Sequence, residues 1–134
     1  MKLGGYGNYK KNKFKLIGAV ASTFILLSNA SPTFASSYEY DFIEGYQILG
    51  TTTRGKSGSD YYGGARTTVS TNSILTKTSV GAQFGDGYKS NYSDYYYGSS
   101  YIQVTSRRGL PSSVKGTHWA KGFNKTVNFI SNIN

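Results

Sequence analysis

The sequence predicts an all-β protein: a small antiparallel β-sandwich following an N-terminal signal helix. Three observations support this. Beyond residue 35 the helix formers Ala, Leu, Glu and Gln are scarce, whereas Thr, Ser, Tyr, Val and Gly dominate. Apolar residues recur with period two in several segments. Glycine-rich and proline-containing breaks separate those segments.

The chain has 134 residues, enough for one domain. Its first 35 residues have the parts of a secretory signal. Lys10, Lys11, Lys13 and Lys15 form a basic start, Leu16 to Leu27 an apolar run, and "SPTFA" places Thr33 and Ala35 where a signal peptidase reads small residues. The run is short for a bilayer crossing, which needs about 20 residues. Cleavage after Ala35 leaves a secreted domain over 36–134. Five of the 15 basic residues (Lys2 and the four lysines above) leave with the signal and all 6 acids stay, so the mature charge is 10 − 6 = +4 rather than +9. That balance is far from that of a nucleic-acid binder. It gives either a mild attraction to anionic wall polymers and lipid head groups, or solubility alone.

The elements follow in order. "YQILGTTT" (Tyr46 to Thr53) is an early strand, and "RGKSGS" (Arg54 to Ser59) a flexible polar loop. "SILTKTSVGAQF" is the clearest strand. Ile74, Thr76, Thr78, Val80, Ala82 and Phe84 share one face; Leu75, Lys77, Ser79, Gly81 and Gln83 share the other. "GDG" (Gly85 to Gly87) turns the chain back. "YIQVTSR" alternates again, "GLPSS" (Gly109 to Ser113) breaks the pattern, and "THWAK" and "FNKTVNFI" are the last strand candidates.

A near-repeat runs through the middle. "SDYYGGARTTVST" (from Ser59) aligns with "SDYYYGSSYIQVTS" (from Ser93), matching Gly63 with Gly98 and Val69 with Val104. One reading is a turn-plus-strand unit used twice, as two halves of the sandwich, with each Asp forming an Asx-turn. The other is coincidence in a Tyr/Ser/Gly-biased chain.

The core is an open question at this level. Leu, Ile, Val and Phe number only 18 after residue 35, and there is no cysteine to form a disulfide, a thiolate metal site or a nucleophile. Eleven tyrosines and Trp119 are expected to supply the missing bulk. Catalysis has little support. The one histidine, His118, has no visible partner and is expected at a surface or strand edge, and no nucleophile elbow, metalloprotease helix or phosphate loop occurs. Asp60 and Asp94 would pair only if the repeat is two-fold. "GDGYKSN" lacks the spaced carboxylates of a calcium loop, so no metal and no cofactor are expected.

The stretch "YKSNYSDYYYGSSYIQVTS…GLPSSVKGTHWAKGFNKTVNF" resembles the lactococcin 972 family of bacteriocins. The resemblance rests on "SDYYYGS" (Ser93 to Ser99), the Val104–Thr105 strand, a glycine-containing break, and Gly-x-x-Trp-Ala-Lys (Gly116 to Lys121) followed by Asn-Lys. It covers about Tyr88 to Phe129. The resemblance implies a secreted, disulfide-free β-sandwich that inhibits related Gram-positive bacteria by interfering with wall synthesis through a wall precursor. The expected partner is that precursor or an anionic wall polymer; no nucleic acid is expected. Candidate binding residues are Tyr95, Tyr96, Tyr97, Arg107, Arg108, Lys115, Trp119 and Lys121. The competing expectation is a surface or matrix adhesin-like β protein, drawn from the Tyr/Ser/Thr/Gly richness, that binds wall polymer or carbohydrate. Exposed strand edges also allow a homodimer.

Overall fold

The computed structural model describes residues 35–134. The expected signal helix over 1–35 lies outside the described residues, save for Ala35. Among the described residues nine strands run β1 (Ala35–Ile43), β2 (Tyr46–Ser57), β3 (Asp60–Val69), β4 (Leu75–Phe84), β5 (Gly87–Tyr92), β6 (Tyr96–Tyr97), β7 (Ser99–Ser106), β8 (Ser113–Lys121) and β9 (Thr126–Ile133). They form two antiparallel sheets, β1-β2-β3-β7 and β5-β4-β8-β9, with β6 continuing beside β4. The inner faces pack on each other as an all-β sandwich.

The period-two face of β4 is confirmed residue by residue: Ile74, just before the strand, and Thr76, Thr78, Val80, Ala82 and Phe84 are all buried. The "GDG" turn joins β4 to β5 with Gly87 at φ 130°. Four other expectations are corrected.

"RGKSGS" is mostly strand, not loop. β2 pairs with β3 as far as Ser57↔Asp60. Arg54 is held because its Nη1 donates to the carbonyl of Pro111 at 2.9 Å. Gly55 is covered by the Tyr62 ring, and a Cβ there would lie 3.1 Å from Tyr62 Cζ.

The two near-repeats are not two halves of a sandwich. Their strands, β3 and β7, are neighbours in one sheet, with Gly63 opposite Val104. Their turns differ as well. Gly63 lies inside β3, whereas Gly98 bends the chain at φ 82°. The Asp residues play different parts. Asp60 pairs with Arg107 at 3.4 Å. In the second copy the backbone bonds come from Ser93, whose Oγ accepts the Thr78 N–H at 3.0 Å and donates to the Asp94 carbonyl at 2.8 Å. Ser93 thereby fills the gap in the β4 ladder between β5 and β6.

The tyrosines do not fill the core. Of the eleven, only Tyr62 is buried; Tyr88, Tyr92, Tyr95, Tyr96 and Tyr97 are exposed. Threonine makes up the bulk, with Thr51, Thr52, Thr53, Thr67, Thr76 and Thr78 all buried. Threonine is nearly the shape of valine and suits a strand, provided its hydroxyl finds a partner. Tyr62 and Tyr101 instead lie over glycines: the Tyr62 ring over Gly55, the Tyr101 ring over Gly64. Burial pushes both phenols above the usual tyrosine range.

The interior has two apolar clusters. One gathers Ala65, Val80, Ala82, Phe84, Val114 and Ile133; the other Ile43, Ile48, Val69, Ile74 and Ala120. A chain of buried side-chain hydrogen bonds crosses between the sheets in the middle of the sandwich. It runs Thr52–Ser131–His118–Thr67–Thr78–Ser100, with His118 Nε2 to Ser131 Oγ at 2.9 Å, His118 Nδ1 to Thr67 Oγ1 at 2.8 Å, and Thr67 to Thr78 at 2.7 Å. His118 is therefore not an edge or surface residue; it is fully buried. Burial lowers its pKa to about 3, so the ring is neutral. One nitrogen donates and the other accepts, and the flanking hydroxyls rotate to suit.

Thr53 departs from this pattern. It is buried and its hydroxyl has no partner. Thr53→Val keeps the shape and removes an unsatisfied group. It is expected to raise stability by about 1 kcal/mol, measured as a shift in the urea midpoint.

Candidate functional site

The outward rows of the β5-β4-β8-β9 sheet carry Tyr88, Ser90 and Tyr92 from β5, Lys77, Ser79 and Gly81 from β4, and Lys115, Thr117, Trp119 and Lys121 from β8. On β4 and β8 they face outward because each alternates with buried residues of the same strand, and on β5 because Tyr88, Ser90 and Tyr92 lie opposite Gln83, Gly81 and Ser79 of the outer row of β4. Strands β4, β5, β8 and β9 contain no acidic residue at all, whereas Glu39, Asp41 and Asp60 lie on the other sheet. Sheet membership therefore keeps acidic residues off the strands of this face, with Asp86 and Asp94 confined to the segments that flank β5.

Lys77 stands at the centre. It pairs across the ladder with Trp119, and its ammonium lies 5.4 Å from that ring, 5.2 Å from Tyr92 and 5.6 Å from Tyr95. Lys121 reaches Tyr95 from the other side at 5.8 Å. Each such contact is worth about 0.5–1 kcal/mol at an exposed site, which biases both lysines to lie over the rings. Next to this cluster a groove of about 340 Å³ runs along the sheet. Tyr88, Tyr92 and Lys115 form its walls, and Ser79, Gly81 and Ser90 its polar floor. Gly81 leaves room for Tyr88 to lie across the sheet, since a Cβ at Gly81 would sit 2.7 Å from Tyr88 Cζ.

The structure thus gathers Tyr95, Trp119 and Lys121 into one cluster and places Lys115 on the same face. Tyr96 and Tyr97 lie on β6 beside β4, with Tyr97 opposite Leu75 and 67 % exposed. Arg107 and Arg108 are not part of the face. They follow β7, where Arg107 pairs with Asp60 and the Arg108 N–H donates to Ser106 Oγ at 3.0 Å. Sequence reasoning missed Lys77, Tyr88 and Tyr92. Alternation already put Lys77 on the polar side of its strand, and the Tyr-x-x-x-Tyr spacing of "YKSNY" puts two rings on one face of β5. Both signals were in the sequence.

Chemically, the face offers aromatic surfaces for stacking on sugar rings, ammonium groups for phosphate or carboxylate, and short hydroxyl side chains for polar contacts. His118 is enclosed in the core and is not part of this face. Among the described residues no three His, Asp or Glu side chains gather to hold a metal ion. No helix among them is long and apolar enough to cross a membrane. The chain matches no protein-family model, no curated protein and no solved structure. What the fold and site define is therefore a class: a cysteine-free, two-sheet antiparallel sandwich that presents a cationic, aromatic sheet face.

Proposed function

We propose that this is a secreted, bacteriocin-like protein that binds an anionic, sugar-bearing component of the bacterial wall and thereby interferes with wall synthesis in related Gram-positive cells. The observation that carries this reading is the face, built of strands without acidic residues, on which Lys77, Lys115 and Lys121 stand among Tyr92, Tyr95 and Trp119. Aromatic rings bury large area at low entropic cost, and fixed ammoniums select for phosphate-rich polymers. The export signal and the resemblance of Tyr88 to Phe129 to wall-directed bacteriocins support the same reading.

Titration of residues 36–134 with a lipid-linked wall precursor and with a teichoic polymer is the direct test. Saturable binding that weakens with salt is expected. Trp119→Ala and Lys77→Ala should each weaken it about tenfold and shrink inhibition zones in parallel, with folding unchanged by circular dichroism. Absence of binding to both ligands ends the proposal. The groove also runs along the sheet, which suits an extended polymer and favours a second reading, an adhesin-like attachment protein. That reading stands if the protein remains on washed cells and inhibits none.

A further inference from the structure

The β8–β9 hairpin ends in the loop Gly122 to Lys125, closed by the Gly122 N–H donating to the Lys125 carbonyl at 3.0 Å. Phe123 stands at its tip and is 90 % exposed, the most exposed of the large apolar side chains described. Single exposed apolar side chains are ordinary on a protein surface, so what sets Phe123 apart is its setting, on a braced tip between two lysines. The loop is also anchored. Glu44, held at φ 49° in the β1–β2 turn, accepts the Asn124 N–H at 3.1 Å, and its carboxylate packs against Gly122, where a Cβ would lie 2.6 Å from Cδ. This clamp fixes the base of the tip and leaves Phe123 projecting. Lys121 and Lys125 flank the tip and are both exposed, and Tyr97 lies in the adjoining row through Leu75 and Lys121.

We propose that this hairpin tip is a membrane-contact point, inserting Phe123 into the interfacial layer of an anionic bilayer while Lys121 and Lys125 meet its head groups. An apolar ring between two lysines on a braced loop matches the layering of such an interface, apolar inside and negative at the surface. The two exposed lysines beside the ring favour an anionic lipid surface as its partner. The inference goes beyond polymer binding and does not require it.

The test uses residues 36–134 and vesicles of phosphatidylglycerol with phosphatidylcholine, compared with phosphatidylcholine alone. Because the chain has no cysteine, Phe123→Cys accepts a single environment-sensitive probe. A blue shift with the anionic vesicles, little shift with the neutral ones, and a roughly tenfold weaker partition for Phe123→Ala are expected. Lys125→Glu should weaken partition to the anionic vesicles alone. Phe123→Ala should still bind soluble teichoic polymer, so a lost probe shift with intact polymer binding overturns the membrane contact alone, and the reverse overturns the polymer reading alone. An unshifted probe, or a Phe123-dependent dimer in sedimentation equilibrium without vesicles, would overturn the proposal.

Discussion

His118→Ala is expected to cost about 3–5 kcal/mol and to leave little folded protein at ordinary temperature. The ring is fully buried, packs at 5.2 Å from the Phe129 ring, and bonds through both nitrogens. Its loss opens a cavity and breaks the polar chain in the middle, taking one partner each from Ser131 and Thr67. A domain of this size has only about 5–15 kcal/mol of stability in total. The same residue sets a pH dependence. Folded His118 protonates at about 3, below its ordinary 6.5, because burial disfavours the imidazolium. Between these values the unfolded chain holds a proton that the folded chain lacks, so stability rises with pH through this window. It is complete above 6.5 and falls by about 4 kcal/mol as the pH drops toward 3. Urea unfolding at pH 7, 5 and 4 checks this. His118→Gln, which keeps a donor and an acceptor but cannot take the proton, should be less stable at pH 7 yet lose less between pH 7 and 4. An equal slope in both proteins would show that His118 does not set the acid sensitivity.

The second large effect comes from a residue with no side chain. Gly50→Ala would place a Cβ 2.5 Å from His118 Cγ and 2.7 Å from Nε2. The ring cannot withdraw, because Thr67 and Ser131 hold its two nitrogens and Phe129 lies beside it. The cost is expected to be about 3 kcal/mol, at the upper end of ordinary overpacking. Gly45→Ala serves as contrast. A Cβ there meets nothing, and only the left-handed backbone at φ 86° opposes it, which costs about 1 kcal/mol. Thermal melts of the two variants should therefore differ clearly. Equal melting temperatures would mean that the approach of β2 to the His118 ring is not tight.

Part of this architecture was legible from local pattern. Strand β4 declared both of its faces, because six alternating positions from Ile74 to Phe84 are small or apolar and the intervening ones mostly polar. The turn after Phe84 and the break around Pro111 follow from residues with special backbone preferences. Strand β1 was missed. "ASSYEYDFI" alternates Tyr38, Tyr40 and Phe42 with Glu39 and Asp41, but Tyr38 and Phe42 are exposed rather than in the core, and what places the strand is the full ladder that β2 supplies, from Ala35↔Arg54 to Ile43↔Tyr46. The Ser59 and Ser93 segments look alike but fold differently, because the first pairs along its whole length with β2 while the second must leave one strand and join another sheet.

The candidate face divides in the same way. Which residues of β4, β5 and β8 point outward follows from alternation within each strand. That Lys77 meets Tyr92, Tyr95 and Trp119, and that Arg107 instead turns to Asp60, follows from which strands became neighbours.

The sequence by itself determined the β class, the placement of the turns and the inward positions of the best strand, because these depend on residues a few places apart. Only the tertiary structure decided that threonines rather than tyrosines fill the interior and that His118 lies at its centre. A hydroxyl or an imidazole is tolerated inside only when another strand brings its partner, and strands distant in sequence meet only once the two sheets have closed on each other.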